Sequence, residues 1–267
     1  MRHRLVLCFA VTFNFGCQPR FTSSTSDAID ASTDTGDSAS PEEDWSGWEG
    51  AELVVRTPES GQLLWLGEDS DFQAEIIALD GTSIEWNEIA WSSNLSAEWN
   101  GEGRDFVDDS LTVGLHDLRV ETTLPTGDHL VWTVGGVRVQ HQQAGTYVGN
   151  MLVDATSEYD GTEYTTTCIG AAIVIINAEG DIASGDSNCL ISLLGYDIDA
   201  NYLFDFAIDD EDLTGNAKLD LVWSTVDFET TGEVSDGNLS ASWSDYLYDT
   251  IEFSGTLDLE RISYDAP

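Results

Sequence analysis

Residues 168–189 read CIGAAIVIINAEGDIASGDSNC, and this stretch decides the fold of the C-terminal half of the chain. Residues 169–176 form a nearly continuous apolar run, and residues 177–181 have the composition of a hairpin turn. Folding the chain about the Ala178–Glu179 bond brings Cys168 close to Cys189. The stretch therefore predicts a β-hairpin whose two strands are joined by a disulfide.

The runs that follow alternate between apolar and polar residues. A two-residue spacing places apolar side chains on one face of a strand. It recurs at Leu219, Leu221 and Trp223, at Leu239, Ala241 and Trp243, and at Ile251, Phe253, Leu257 and Leu259. Several antiparallel strands with one apolar face predict a barrel or a rolled sandwich over residues 141–267. The segment GTYVG at 145–149 resembles the opening strand of lipocalin-like barrels.

Short apolar runs also predict strands in residues 51–140, because they are separated by Gly, Asp, Asn and Ser. These runs lie at 53–55, 72–77, 89–91, 118–120 and 132–139. No segment carries the i, i+3, i+4, i+7 apolar stripe of a helix of about ten residues. We therefore expect an all-β chain with a β-sandwich at 51–140 and a second antiparallel β domain at 141–267.

Residues 53–140 resemble the PKD-like and immunoglobulin-like domains of bacterial surface proteins. VVRTPESG at 54–61 is similar to their opening strand, IAWSS at 89–93 to their central strand, and LTVGLHDLRV at 111–120 to their corner and the strand after it. The chain departs from the family at LPTGDH, residues 124–129, where an Asp-x-x-Gly usually precedes the last strand.

The resemblance implies an immunoglobulin-like sandwich with two structural anchors. Trp91 would be the core anchor, and His116 would cap the corner through a hydrogen bond, as a tyrosine does in related sandwiches. A role for His116 as a metal ligand or a base is the alternative. Domains of this kind usually serve as spacers or adhesive modules and carry no catalytic residues.

The first seventeen residues predict export. Arg2 and Arg4 precede a mostly apolar run at 5–15, which is shorter than the roughly 20 residues of a spanning helix. Gly16 and Cys17 resemble the cleavage site of a bacterial lipoprotein, which implies a signal peptide at 1–16 and acylation of Cys17. A plain secretory signal cut elsewhere is the alternative. We expect a protein of the bacterial cell envelope, lipid-anchored to the membrane and facing the periplasm or the cell surface.

Residues 17–50 predict a disordered acidic tether, because they are rich in Ser, Thr and Asp and poor in large apolar side chains. The chain carries 9 Lys and Arg against 50 Asp and Glu, a net charge of −41. Loss of Arg2 and Arg4 with the signal peptide would change this charge to −43. Such a surface repels nucleic acid, and it attracts divalent cations and basic partners.

Cysteine usage agrees with export. Cys8 lies in the predicted signal peptide and Cys17 is the predicted lipid site, so Cys168 and Cys189 remain as a disulfide pair. The three histidines beyond the signal have no zinc-site spacing. DIDAN at 197–201 begins like an EF-hand loop but lacks its Gly and Glu, so it predicts a turn. We expect no cofactor, with casual calcium binding as the alternative.

The sequence carries no nucleophile elbow, no His-Glu-x-x-His and no P-loop. Fifty acids guarantee that some carboxylates lie close together, so a carboxylate pair is not specific. We therefore expect a protein that is not an enzyme and that presents its β domains for binding, adhesion or envelope architecture. Its partner would be an unknown protein or polysaccharide.

Tyr246 and Tyr248 are the candidate binding residues, because they lie near predicted strand ends. Tyrosine offers a large contact area at low entropic cost. The alternative function is a small-ligand carrier that uses the interior of a C-terminal lipocalin-like barrel. Its cavity would be lined by Trp223, Trp243, Phe204 or Phe206.

Overall fold

The computed structural model describes residues 45–193, 196–221, 224–248 and 250–266. These residues form seventeen β-strands and one short 3-10 helix, Ser46–Trp48. The predicted all-β fold class, a sandwich followed by an antiparallel β domain, is confirmed. The predicted signal peptide, Cys17 and the tether up to residue 44 lie outside the described residues.

The first nine strands form two sheets that share one core. They are β1 Glu52–Thr57, β2 Leu63–Trp65, β3 Ser70–Ile77, β4 Ser83–Ile84, β5 Ile89–Ser93, β6 Asn100–Glu102, β7 Asp105–Asp108, β8 Gly114–Thr123 and β9 His129–Gln140. One sheet has the order β1-β3-β4, with β7 also paired to β3, and the other has the order β2-β9-β8-β5-β6. Only the β2–β9 pair is parallel among the described pairs of these sheets. This is the predicted immunoglobulin-like sandwich.

Trp91 lies at the centre of the sandwich core. It is 1% exposed, and its ring contacts Phe72 and Phe106 edge-on at centroid distances of 5.7 and 5.6 Å. Phe72 stacks on Phe106 at 4.9 Å. The three rings connect β3 and β7 of one sheet to β5 of the other. The Trp91 Nε1–H donates a hydrogen bond to the Gly103 carbonyl oxygen at 3.1 Å, so the buried indole is satisfied.

The N-terminal end of the described chain packs on the end of the sandwich that is remote from residue 140. Trp48 contacts Trp86 edge-on at 5.3 Å, and the Trp86 Nε1–H donates to Oγ1 of Thr122 at 2.7 Å. Thr122 pairs with Leu130 near the start of β9. The remainder of β9, to Gln140, runs roughly 30 Å away from this end at the usual strand rise.

The next eight strands close into an antiparallel barrel. They are β10 Gly145–Tyr159, β11 Thr162–Ile176, β12 Ile182–Leu193, β13 Tyr196–Asp209, β14 Asp212–Leu221, β15 Ser224–Ser235, β16 Asn238–Leu247 and β17 Ile251–Ser263. Each strand pairs with the next in sequence, and β17 pairs with β10. An eight-stranded barrel has an interior just wide enough for side chains to fill.

Large and small side chains complement each other across three barrel strands. The inward residues Tyr202, Phe204 and Phe206 form an aromatic column on β13, and each is at most 2% exposed. Phe204 lies between Gly185 and Ala217 of the neighbouring strands. Phe206 lies likewise between Ala183 and Gly215. These paired glycines and alanines have small side chains or none, which leaves room for the rings of Phe204 and Phe206 inside the barrel.

Inward glycines also let the barrel strands approach closely. A Cβ added at Gly149 or Gly185 would overlap a carbonyl oxygen of the next strand, and one at Gly255 would overlap the Trp243 indole. The same conflict with a neighbouring carbonyl exists at Gly170, Gly215 and Gly232. Glycine at such positions is typical of sheets that bend tightly to close a barrel.

The barrel has two different ends. At the end nearest the sandwich, the His141 N–H donates to the Ala178 carbonyl oxygen at 2.8 Å. At the opposite end, we call residues 156–165 at the β10–β11 hairpin and the described residues of 245–252 at the β16–β17 hairpin the distal rim. The paired residues Leu193 and Tyr196, and Leu221 and Ser224, also lie at this end. The sandwich therefore lies between the N-terminal end of the described chain and the barrel, and the distal rim faces away from both.

Hydrogen-bonded pairing is incomplete along two seams of the barrel. Among the described residues, β11 pairs with β12 from Ile176–Ala183 only as far as Ala172–Ser187. Pairing of β15 with β16 likewise ends at Thr230–Trp243. Both ladders stop on the side of the distal rim, whereas β10 and β11 pair along their whole length.

The predicted disulfide between Cys168 and Cys189 is present and bridges the first seam, with a Cα–Cα distance of 5.8 Å. The hairpin turn is centred one residue later than the sequence predicts. The Asn177 Oδ1 accepts hydrogen bonds from the N–H groups of Asp181 and Ile182, both at 3.1 Å, which fixes a turn centred between Glu179 and Gly180. The register thus places Cys189 at the level of Gly170, so the bridge is diagonal.

The prediction of a turn at 197–201 is wrong. These residues lie inside β13, where Asp197 pairs with Ser192 and Asn201 pairs with both Asn188 and Asp220. Alternation makes this segment a strand, because Ile198 and Ala200 face the interior while Asp197 and Asp199 face outward. The acidic residues at 209–212, in contrast, form the exposed β13–β14 turn.

Candidate functional site

His116 is fully buried and bonded through both ring nitrogens. Its Nε2 lies 2.7 Å from the Thr112 carbonyl oxygen, and its Nδ1 lies 2.7 Å from Oγ of Ser93. A carbonyl can only accept, so the His116 Nε2 carries a proton and donates to Thr112, while Nδ1 and the Ser93 hydroxyl form the second hydrogen bond. The contact with the Thr112 carbonyl, four residues upstream, joins the segment before β8 to His116 within β8.

A similar contact, which the sequence analysis did not anticipate, begins the barrel. The Tyr147 hydroxyl donates to the Gln143 carbonyl oxygen at 2.8 Å, again four residues upstream. Tyr147 is fully buried, and this desolvation raises the pKa of its hydroxyl. Within the described residues, no three His, Cys, Asp or Glu side chains are grouped so that they could hold a metal ion. The printed hydrogen bonds of the His116 ring and of the Tyr147 hydroxyl are all made within the fold.

Tyr246 and Tyr248 lie at the distal rim and are 56% and 67% exposed. Tyr248 has a φ of 55°, in the turn between β16 and β17. Tyr164, which the sequence analysis missed, lies at the same rim on β11 and is 52% exposed. Its position two residues after the start of β11 was the available signal, because tyrosines at strand ends often remain exposed. We call these three residues the rim tyrosines.

A cleft of about 360 Å³ opens beside Tyr246. Its lining residues are Thr156, Ser157, Glu158, Glu163, Tyr246, Thr250 and Glu252. The described residues of the distal rim include carboxylates but no Lys, Arg or His. The rim thus combines exposed aromatic rings with hydrogen-bond acceptors, and its charge favours a neutral or basic ligand.

The residues predicted to line a carrier cavity pack against one another. Phe204 contacts Phe206 and Trp243 at centroid distances of 5.8 and 6.0 Å, and all three side chains are at most 4% exposed. Trp223 lies outside the described residues. These three rings therefore occupy part of the barrel interior.

Two polar atoms in this interior have no hydrogen-bond partner among the described residues. They are the hydroxyl of Tyr202 and Nε1 of Trp243, on rings whose centroids lie 5.9 Å apart. Burial raises the pKa of the Tyr202 hydroxyl well above its ordinary value. Unpaired buried donors of this kind cost stability unless a ligand or water satisfies them.

No protein-family model matches this sequence, and no curated protein is significantly similar to it. We therefore infer the function from the geometry of this chain. No helix in the described part of the chain is long and apolar enough to cross a membrane.

Proposed function

We propose that this protein is a non-catalytic, lipid-anchored component of the bacterial cell envelope that binds its partner through the distal rim of the barrel. The exposure of the rim tyrosines, at the end of the barrel remote from the N-terminal end of the described chain, carries the proposal.

The chemistry of the rim favours a polysaccharide or a protein partner. Tyrosines supply large, rigid contact areas, and exposed aromatic residues are enriched at binding hot spots. The net charge of −41 opposes binding to nucleic acid. The rim carboxylates can accept hydrogen bonds from sugar hydroxyls or from basic side chains.

The test compares binding of the full chain to envelope polysaccharide and envelope protein fractions with binding of Tyr246→Ala/Tyr248→Ala. We expect the double variant to bind at least about tenfold more weakly, as loss of aromatic hot spots does. Trp132→Ala is the matched control, because Trp132 is 45% exposed but lies on the sandwich. Equal binding by all three proteins would contradict the proposal, as would substrate turnover that survives stringent purification.

A small-ligand carrier is the second candidate, supported by the unpartnered Tyr202 hydroxyl and Trp243 Nε1. The two ladders that end short of the distal rim offer a path into the interior. Titration of the full chain with the apolar fluorophore N-phenyl-1-naphthylamine tests this function. A carrier would bind it in a 1:1 complex that Trp243→Phe weakens, whereas absence of binding would reject the carrier.

A further inference from the structure

A second cleft, of about 350 Å³, lies where the sandwich meets the barrel. We call it the junction cleft. It is lined by Trp65 of the sandwich, by Gln142 and Gln143 of the connection, and by Glu211, Val234, Ser235, Asp236, Gly237, Arg261 and Tyr264 of the barrel part. It is thus built from five separate segments of the sequence.

The walls of the junction cleft are held in place by contacts between the sandwich and the C-terminal segment. Trp65 packs edge-on against Tyr264 at 5.3 Å, and the Gln140 Nε2 donates to the Tyr264 carbonyl oxygen at 2.8 Å. Arg138 forms an ion pair with Asp265 beside them. The aromatic pair is therefore fixed on both sides before any ligand arrives.

Arg261 is the unusual residue of the junction cleft. Four other described arginines, Arg56, Arg104, Arg119 and Arg138, each form an ion pair with a carboxylate. Within the described residues Arg261 has no such pair, although the chain contains 50 acids. Its guanidinium instead stacks over the Tyr264 ring at 4.2 Å and donates to the Gln142 carbonyl oxygen.

The Arg261 Nη2 also donates to the Tyr264 hydroxyl at 3.4 Å. These contacts orient the guanidinium but do not use all five of its N–H groups. The remaining donors are available to oxygen atoms in the cleft. The side-chain amide of Gln143 donates to the carbonyl oxygens of Asp210 and Val234, at 2.7 and 3.2 Å. The Gln143 Oε1 is buried and has no donor among the described residues, so this side chain shapes the wall of the cleft and is not exposed to a ligand. The cleft therefore offers the unused donors of Arg261.

Charge narrows the class of ligand. Glu211 and Asp236 line the cleft beside Arg261, so a ligand with several negative charges would be repelled. A cation would compete with Arg261 for the face of Tyr264. A neutral polyol avoids both conflicts, because its hydroxyls can donate to the carboxylates and accept from Arg261, and its ring can lie on Trp65 and leave the Tyr264 face to Arg261.

We propose that the junction cleft is a binding site for a neutral saccharide, with the sugar ring against Trp65 and its hydroxyls bonded to Arg261 and Asp236. Flat aromatic surface with a few placed polar groups is the usual composition of a small-ligand site. This site is separate from the distal rim and does not depend on the function proposed for it.

The test titrates the full chain with a panel of neutral trisaccharides (maltotriose, cellotriose, xylotriose and chitotriose) by calorimetry and tryptophan fluorescence. We expect at least one of them to bind in a 1:1 complex. Trp65→Ala should weaken that binding by about tenfold, since it removes the aromatic face. Asp236→Asn, an exposed change that leaves the Arg261 contacts intact, should weaken it by a few-fold.

Tyr246→Ala/Tyr248→Ala is the matched control and should bind the same trisaccharide as the unaltered chain. Failure of this double variant alone would move the saccharide site to the rim and overturn the assignment to the junction cleft. Absence of binding by every trisaccharide, or binding that is unaffected by both Trp65→Ala and Asp236→Asn, would also overturn it. None of these outcomes depends on whether the rim binds an envelope partner.

Discussion

Removal of the disulfide should destabilise the barrel by an amount that follows from the chain length it encloses. Cys168 and Cys189 are 21 residues apart, and closing a loop of this size removes about 3 kcal/mol of chain entropy from the unfolded state at 25 °C. Cys168→Ala/Cys189→Ala should therefore lower the free energy of unfolding by about 3 kcal/mol and the melting temperature by roughly 10 °C.

The structure also predicts which part of the barrel loses stability. Hydrogen-bonded pairing of β11 with β12 ends at Ala172–Ser187, so the disulfide is the covalent link between the strands on the side of the distal rim. In the double variant, amide hydrogen exchange should accelerate most in residues 162–171 and 188–193, and much less in residues 172–176 of the paired part.

Urea unfolding followed by circular dichroism measures the free energy of unfolding, and hydrogen exchange with mass spectrometry shows which residues are destabilised. Reduction of the unaltered protein is the internal control and should reproduce the loss, whereas reductant should leave the double variant unchanged. If the free energy of unfolding falls by less than about 1 kcal/mol, or if exchange accelerates uniformly over the barrel, the disulfide does not hold this seam together.

Three further outcomes follow from single residues. Tyr202→Phe should raise the free energy of unfolding by about 1 kcal/mol at neutral pH, because it removes a buried hydroxyl without a partner. Burial raises the pKa of Tyr202 above its value in the unfolded chain. The free energy of unfolding of the unaltered protein should therefore not depend on this proton below about pH 10, and it should fall at higher pH as the unfolded chain releases the proton. In urea unfolding, the stability of Tyr202→Phe should fall less steeply in alkali, and an identical fall would contradict this. His116→Leu should lower the free energy of unfolding by about 2–3 kcal/mol in thermal melts, because it leaves Ser93 and Thr112 without their partner, and an unchanged melt would exclude the capping role. Cys17→Ser should abolish labelling by a radioactive fatty acid and release the protein into the soluble fraction, whereas persistent labelling would reject Cys17 as the lipid site.

Local sequence patterns predict the strands well because each strand carries its own alternation. The apolar run at 169–176 lies in β11, and Leu239, Ala241 and Trp243 all face the barrel interior from β16. The segment at 197–201 shows the limit of local reasoning. Its acidic residues suggest a loop, but pairing with β12 and β14 on both sides makes it a strand.

The arrangement of the candidate sites could be predicted only in part. Tyr246 could be placed at a strand end from the turn residues around it, and it is exposed there. The junction cleft could not be found in this way, because Trp65 and Tyr264 meet only after the sandwich and the barrel have both folded. Likewise, the fit of Phe204 between Gly185 and Ala217 depends on the register of three strands.

Hydroxyl-radical footprinting shows whether the distal rim binds the envelope partner. It compares the full chain with and without the envelope fraction that it binds. We expect oxidation of Tyr164, Tyr246 and Tyr248 to fall on binding, while oxidation of the exposed sandwich residues Leu79 and Trp132 does not change. Protection confined to the sandwich, with the rim tyrosines oxidised as in the free protein, would contradict it.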